Sequence, residues 1–456
     1  MLPFYKKVAY GMGRFGSSFL LTLTGLTSFW IYGTFFELNW LLAGVALALS
    51  YVVIGLTHWL TGYWSDRVHT RWGRRKPFVI VGAPGLAITG FLLFVPNWFL
   101  DTTNPALEML VFAYYVTSLC SFKFFYAFLL TAFQAWLPEI TDEDERPLVS
   151  SMQNTANWIA NGLGIVAGLM TTLLFNKPPD PPGLRYFGLI FVLAISIITV
   201  LFYLPSIIWI HERPDIVIPK RSVVAETMTV LRNRTYVGWM FAVGFLSFSF
   251  SAITAQILGF SQEVLLLKTL DLLLPPAITL LASIMVFLYL WVKLIKKIGK
   301  GKAMIGSMLI LGFLLPATAF ISRLIPAIPN VVVAIMFFIP LAACMAVYYL
   351  MSYIVPADIA QADELLTGQS RSGMYTGFIG VPLNLFQAGS ALLLGLVMDY
   401  SVATTGFNTL GLMLWGPIFA PFLGIAAIIL LYINIDPDFD ALKAKKAETT
   451  KVQATT

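Results

Sequence analysis

Apolar runs recur along the whole chain, separated by short polar segments. Each run holds about 20 residues, enough for an α-helix to cross a hydrocarbon layer of roughly 30 Å. Helices are required because the open edge of a sheet would leave backbone groups unpaired in lipid. The pattern therefore predicts twelve membrane-spanning helices, near residues 9–36, 41–64, 77–99, 109–137, 148–175, 186–210, 236–260, 271–292, 303–322, 330–355, 373–398 and 408–434.

Composition supports an integral membrane protein. The chain of 456 residues is 58% hydrophobic and 11% charged, whereas soluble proteins carry about 25% charged residues. The first run begins after Met1–Lys7 and is far longer than the core of a signal peptide, so we expect a retained first helix. The two cysteines, Cys120 and Cys344, both fall inside predicted helices, which speaks against a disulfide framework.

The distribution of Lys and Arg predicts the orientation. With the N-terminus inside, the cytosolic segments hold 23 of the 29 basic residues and the outer loops hold four. This asymmetry is typical of the positive-inside rule and predicts that both termini lie in the cytosol. We expect the protein to lie in the plasma membrane. The net charge of +6 then indicates contact with anionic membrane lipid rather than nucleic acid.

The chain divides into two similar halves. The longest polar interruption predicts an N-terminal six-helix bundle (1–210), a cytosolic linker (211–235), a C-terminal six-helix bundle (236–434) and a disordered cytosolic tail (435–456). The second helix of each half runs into a basic segment around a glycine, TRWGRRKP and KKIGKGKA, and we expect Pro138 and Pro356 to close the matching fourth helices. Duplicated bundles hold their substrate near the middle of the bilayer, where the halves meet.

Five segments of the chain carry a resemblance to one known protein family. They are YGMGRFG in the first helix, GYWSDRVHTRWGRRKPF between the second and third, LPEITDEDERPLVSSM after the fourth, VLRNRTYVGWMFAVGF entering the seventh and ADELLTGQSRSGMYTGF before the eleventh. The second of these is similar to a signature of the major facilitator superfamily. The set is similar to its glycoside–pentoside–hexuronide cation symporters and sucrose transporters. The resemblance implies an all-α fold of two pseudo-symmetric six-helix bundles.

The charged loops on the cytosolic side predict a gate. The segment from Gly62 to Phe78 carries six basic groups, one of them a histidine, and a single carboxylate. Acidic segments face the same aqueous side, so several charge-assisted pairs between loops would favour closure of that side. The predicted gate comprises Gly62, Asp66, Arg67, Arg71, Gly73, Arg74, Arg75, Glu139, Asp142, Arg146, Asp363 and Glu364. The alternative is that these basic residues serve only to fix the orientation of the helices in the membrane.

Polar residues inside the helices are the candidate substrate site. Neutral amides and hydroxyls suit a ligand rich in hydroxyl groups, because they donate and accept hydrogen bonds. The alternative is that they join neighbouring helices, and Gly164 and Gly168 are expected to be packing contacts only. The predicted lining residues are Arg14, Ser17, Ser18, Lys123, Gln134, Asn154, Asn157, Asn161, Asn384 and Gln387.

Lys123 is the sharpest of these candidates. It lies about fourteen residues from each end of its predicted helix, too deep to reach water easily. A cation at that depth is costly unless it faces a wet cavity or a partner. Arg14 lies nearer to an end, and His58 is a candidate proton carrier because imidazole titrates near neutral pH.

The carboxylates that the resemblance implies are missing. In the family's melibiose carriers, acids on the first, second and fourth helices hold sugar and cation, and the matching positions here are Ser18, Ile54, His58 and Leu130. A sodium site needs oxygen ligands, generally with negative charge. Coupling would therefore use protons through His58 or Lys123, or be absent.

Three substrate classes stay open at this point. A neutral sugar or glycoside fits the amides and hydroxyls. An anionic sugar such as a hexuronide, or another organic anion, fits the surplus of cations. A different small molecule is the third possibility.

Enzyme classes lack support in the sequence. There is no GxxxxGK[ST] loop, no soluble catalytic domain, and the three histidines lie on separate segments. We therefore expect a non-enzymatic, monomeric carrier that needs no cofactor and no metal. A membrane sensor on the same fold, which binds without moving solute, is the alternative.

Overall fold

Helices are the regular elements throughout the part of the chain that the computed structural model describes. That part comprises residues 3–68, 70–102, 104–141, 145–175, 182–210, 223–324, 327–367, 374–375, 378–439 and 441–442. The helices are α1 (Phe4–Thr34), α2 (Trp40–Arg67), α3 (Lys76–Leu92), α4 (Glu108–Ile140), α5 (Arg146–Phe175), α6 (Pro182–Trp209), α7 (Val223–Leu231), α8 (Arg234–Gly259), α9 (Leu270–Ile298), α10 (Lys300–Leu314), α11 (Asn330–Thr367), α12 (Gly380–Thr405) and α13 (Thr409–Leu431).

The apolar pattern predicted these elements well. Each of the twelve runs overlaps one of the helices α1–α6 and α8–α13, and α7 is an additional short helix that begins in the predicted linker. Nine helices of the described part are long and apolar enough to cross a membrane. The predicted all-α class is confirmed. The division into domains at 211–235 stays a prediction.

Several predicted boundaries differ from the structure: α3 ends at Leu92 instead of 99, α10 ends at Leu314 instead of 322, and α12 spans Gly380–Thr405 instead of 373–398. The predicted end at Pro356 is also wrong. Pro356 was expected to close its helix, but α11 continues eleven residues beyond it, to Thr367. A proline inside a helix removes one backbone hydrogen bond and crowds the preceding turn. A membrane helix tolerates it where neighbouring helices, side chains or water satisfy the freed backbone group. Pro138 likewise lies inside α4, which ends at Ile140.

The described chain forms two compact units. Unit 1 comprises Met1–Pro219, Ser251–Ala277 and Gln387–Trp415, and unit 2 comprises Lys220–Phe250, Ile278–Phe386 and Gly416–Thr456. In unit 1, α1 packs against α5 and α6, and α4 packs against α2 and α3. Small residues allow the close approach: a Cβ atom built at Gly164 of α5 would lie 2.8 Å from Cβ of Thr22 in α1. Gly164 is therefore a packing contact, as expected.

The two basic loops have the same backbone feature. Gly73 and Gly299 both adopt positive φ angles, 110° and 85°, in the region that favours glycine. Each lies just before the third helix of its half. The repeat predicted from TRWGRRKP and KKIGKGKA is thus present in the backbone conformation of the two loops.

The start of the C-terminal tail binds the second of these loops, within unit 2. The Asp436 carboxylate accepts a hydrogen bond from the Gly301 backbone N–H at 3.1 Å, in the first turn of α10. Lys300 lies beside it and pairs with Asp358 of α11 at 2.6 Å. Ile435 is buried. The tail therefore caps a helix N-terminus, where a negative charge is favourable; residues 443–456 lie outside the described part.

We expect Asp436→Ala to reduce stability modestly. The change removes the acceptor of the Gly301 N–H and a charge near Lys300, which together contribute roughly 1 kcal/mol. The measurement is the thermal unfolding of the purified protein in detergent. Glu364→Ala, which removes an exposed carboxylate of α11, is the matched control. An unchanged melting temperature in Asp436→Ala, with the control also unchanged, would contradict the capping role.

Candidate functional site

Lys123 points into the packed interior of unit 1. Its side chain, on α4, is only 5% exposed. The ammonium lies 5.4 Å from the centre of the Tyr51 ring on α2. No ion pair among the described residues involves Lys123, and the aromatic face supplies only partial compensation for its charge, about 0.5–2 kcal/mol. A buried cation without an acid is the arrangement expected of a group kept for a ligand.

The Tyr51 hydroxyl connects this pair to a third helix. It accepts a hydrogen bond from Ser251 Oγ of α8 at 3.1 Å, and Ser251 is buried. Lys123, Tyr51 and Ser251 thus form a chain across α4, α2 and α8. Tyr51 was not among the predicted lining residues, because no pattern in the sequence shows which helices are neighbours.

A row of polar contacts joins α1 to α5. Ser18 Oγ donates to Asn157 Oδ1 at 2.5 Å, and Thr22 Oγ1 donates to Asn161 Oδ1 at 2.9 Å. Arg14 Nε also donates to Asn157 Oδ1, at 3.4 Å. Arg14, Ser18 and Thr22 are spaced four residues apart, as are the two asparagines, so each set follows one helix face. Thr22 was missed, although this spacing was a signal for it.

These contacts join neighbouring helices, which is the alternative stated above for the polar residues. They use only the oxygen atom of each asparagine amide. Asn157 and Asn161 accept through their oxygens, and within the described residues no hydrogen bond involves either amide nitrogen. The Arg14 Nη1 atom is also buried without a hydrogen-bond partner there. Donors therefore remain on this face for the hydroxyl or carboxylate oxygens of a ligand.

The remaining predicted lining residues lie on four helices. Ser17 accepts a hydrogen bond from the Tyr203 hydroxyl of α6 at 2.8 Å, which is an interhelical contact. Asn154 and Gln134 are exposed. Asn384 donates to the Gly380 carbonyl of its own helix at 2.7 Å. Gln387 is partly exposed and follows on the same helix, α12.

His58 has a defined partner. Its Nδ1 lies 2.7 Å from Thr131 Oγ1 of α4, and its ring stands edge-on to Tyr126 with 6.4 Å between ring centres. The hydroxyl can donate to or accept from the ring nitrogen, according to the tautomer. His58 is thus held between α2 and α4, the two helices that carry Tyr51 and Lys123.

The gate residues fall into two groups. In the described group, Arg75 donates to Ser65 of α2, and Arg71 lies over the Trp72 ring at 4.7 Å. Arg74 is buried, Gly62 lies on α2, and Asp363 and Glu364 lie on α11. Asp142 lies outside the described residues, as do the side chains of Asp66, Arg67, Glu139 and Arg146. The gate as a whole stays a prediction.

Two ion pairs near the loops were not predicted. Lys7 of α1 pairs with the buried Glu145, just before α5, at 2.9 Å. Lys300 pairs with Asp358 within unit 2. In the described part of the chain, no cluster of three or more His, Cys, Asp and Glu side chains is placed to hold a metal ion.

The chain is similar in sequence to a family model and to known proteins. A family model described as MFS/sugar transport protein matches residues 9–432. An uncharacterized symporter of Synechocystis sp. is 27% identical over 206 residues, 43% of this chain and 36% of that protein. A lactose permease of Lactobacillus delbrueckii subsp. bulgaricus is 23% identical over 213 residues, 45% of this chain and 33% of that protein. The match thus spans about a third of the length of these curated relatives.

Solved transporters share the fold. A D-xylose–proton symporter superimposes with a TM-score of 0.66 at 15% identity, covering 92% of this chain and 97% of its own. A nucleoside transporter superimposes with a TM-score of 0.64 at 14% identity, covering 94% of this chain and 99% of its own. At such identities the likeness establishes the fold alone. The expectation of a polytopic membrane protein with this transporter fold is confirmed.

Proposed function

Because the chain belongs to the MFS/sugar transport protein family, we propose that it is a secondary transporter that moves a small sugar or glycoside by alternating access. The observation that carries the sugar assignment is the α1–α5 row, where amide donors of Asn157 and Asn161 stay available beside hydroxyl groups. Such neutral groups suit the hydroxyls of a sugar. Rocking of the two bundles around this site would expose it to each side in turn.

The test is uptake of labelled sugars into proteoliposomes that contain the purified protein. Lactose, D-xylose and D-glucuronate form a panel of a neutral disaccharide, a neutral pentose and an anionic sugar. Saturable uptake of a panel member, absent from empty vesicles, supports the proposal. The alternative outcome is that a panel sugar raises the melting temperature of the protein but no panel sugar is taken up. The protein would then be a sensor on the transporter fold.

We also propose that transport is independent of sodium. The positions that match the family's cation-binding acids hold Ile54, His58 and Leu130, and these supply no anionic oxygen ligands. His58, bound to Thr131 between α2 and α4, is the proposed proton carrier if the transporter is coupled. We expect the initial uptake rate to be the same in sodium and potassium buffers, whereas a proton gradient stimulates it. Clear sodium stimulation would contradict this assignment.

An anionic sugar is the second candidate substrate. Lys123 is a buried cation that no acid neutralises among the described residues, so a ligand carboxylate would supply the missing charge. Within the panel, D-glucuronate represents this class. Thermal stabilisation by D-glucuronate but not by D-glucose would favour the anionic class over the neutral one.

We place the protein in the cell membrane with both termini in the cytosol. The excess of Lys and Arg in the predicted cytosolic segments supports this orientation. The partners we propose are the solute, surrounding lipid and, where coupling occurs, a proton. We propose that the monomer is the working unit.

A further inference from the structure

Tyr51 stands between the buried cation and a helix of the second half of the chain. Its ring faces the Lys123 ammonium at 5.4 Å from the ring centre, and its hydroxyl accepts from Ser251 at 3.1 Å. The ring and the hydroxyl therefore have separate partners on separate helices, α4 and α8. One side chain of α2 touches both.

The ring and the hydroxyl do different work. The aromatic face attracts the ammonium without forming an ion pair with it, so Lys123 is oriented and remains available to a ligand. The hydrogen bond from Ser251 fixes the hydroxyl end of the ring. Because the ring is rigid, its tilt relative to α4 is tied to the position of α8.

Ser251 is well placed for this link because of its position on α8. Ser247 Oγ bonds to carbonyl oxygens of Gly244 in α8 and Leu383 in α12, and Ser249 Oγ donates to the Phe419 carbonyl of α13. Ser251 is one turn after Ser247 and bonds instead to α2. The serines of α8 thus connect it to three different helices, and Ser251 provides the connection to the Lys123 site.

We propose that Tyr51 is a positioning residue that holds Lys123 for its ligand through the ring and couples occupation of that site to α8 through the hydroxyl. The inference rests on the proposed transport function. A ligand that binds the Lys123 ammonium and moves it away from the Tyr51 ring allows the ring to shift. The hydrogen bond between Ser251 and the Tyr51 hydroxyl passes that shift to α8. Tyr51 then affects both ligand affinity and the rate of conformational exchange, through different atoms.

Three substitutions separate these roles. Tyr51→Phe keeps the ring and removes the hydroxyl, Ser251→Ala removes the donor, and Tyr51→Leu removes the ring. In proteoliposomes with the panel sugar that wild type transports, we expect the first two to change the maximal rate at least about fivefold with KM within about twofold. We expect Tyr51→Leu to raise KM about tenfold, because the ammonium loses its orientation.

A matched surface pair provides the control. Tyr289 of α9 is exposed and carries Lys293 over its ring at 4.4 Å, so it has the same kind of contact outside the site. Tyr289→Phe and Tyr289→Leu are expected to leave both kinetic constants unchanged. Equal effects at Tyr51 and Tyr289, or a maximal rate within twofold of wild type in Tyr51→Phe and Ser251→Ala, would overturn the proposal.

A substrate-free measurement keeps the inference separate from the transport assignment. Melting temperatures are compared for Tyr51→Phe, Ser251→Ala and the double variant of the purified protein. If the hydroxyls are bonded, the double variant should be no less stable than the worse single variant, because one bond is lost in each case. Additive losses would overturn the link between α2 and α8. A wild type that moves no panel sugar would contradict the proposed function instead, and this cycle would still decide the link.

Discussion

Lys123→Met is expected to reduce uptake strongly while leaving the protein folded. The substitution keeps a long side chain of similar volume beside Tyr51 and removes the ammonium. A hydrogen bond from a charged group to a ligand contributes about 1.5–3 kcal/mol, so the initial rate of uptake at low substrate should fall roughly 10- to 100-fold. The measurement is uptake into proteoliposomes, with the amount of reconstituted protein matched between variants.

The stability of this variant discriminates binding from structure. A buried charge without an acid costs free energy in the folded protein, so its removal should leave the melting temperature unchanged or raise it. A structural cation would behave in the opposite way, because its loss would strand a partner. Lys293→Met, at an exposed lysine of α9, is the control for loss of a positive charge. Wild-type uptake in Lys123→Met would remove Lys123 from the site.

The burial of Lys123 could be predicted because depth along an apolar run is a local property. A lysine fourteen residues from either end of a spanning helix stands out in the sequence alone, and the structure places it in the interior of unit 1. The helices were predictable for the same reason, since lipid forces each apolar run to satisfy its own backbone. Which polar side chains meet across helices depends on neighbours far apart in sequence, and those contacts were missed.

The asparagines of α5 illustrate this limit. The spacing of Asn154, Asn157 and Asn161 predicts one polar stripe, and the structure bonds the latter two to α1 and leaves the first exposed. Residues three apart differ by about 60° around a helix. Asn154 can therefore point away from α1 although Asn157 contacts it. The Tyr51–Ser251 bond spans 200 residues, a distance over which periodicity carries no information.

The N-terminal end of α2, with its N-cap Asn39, packs against α12 and the start of α13 within unit 1. Asn39 Nδ2 donates to Asp399 at 2.7 Å, and Trp40 Nε1 donates to Asn408 at 3.0 Å. One turn further along, a Cβ atom built at Gly44 would lie 2.7 Å from the Ala391 carbonyl oxygen and 2.8 Å from Cα of Gly395. This end of α2 is predicted to face the outside. In the proposed orientation, the contact would therefore lie on the outer side of the membrane.

Gly44→Ala is accordingly expected to reduce uptake about tenfold or more. In the proposed alternating access, α2 and α12 must separate and pack together again at this end, and the added methyl group would prevent the close packing. The new methyl group meets backbone atoms, which cannot rotate away as a side chain can, and ordinary contact at 3.4 Å would require the helices to separate by 0.7 Å, the difference from 2.7 Å. Alanine also favours the helix by roughly 1 kcal/mol, so a loss of uptake would not reflect a weakened α2. Gly25→Ala in α1, where nothing lies within 4 Å, is the matched control. Wild-type uptake in both variants would show that α2 and α12 need not meet at Gly44 during transport.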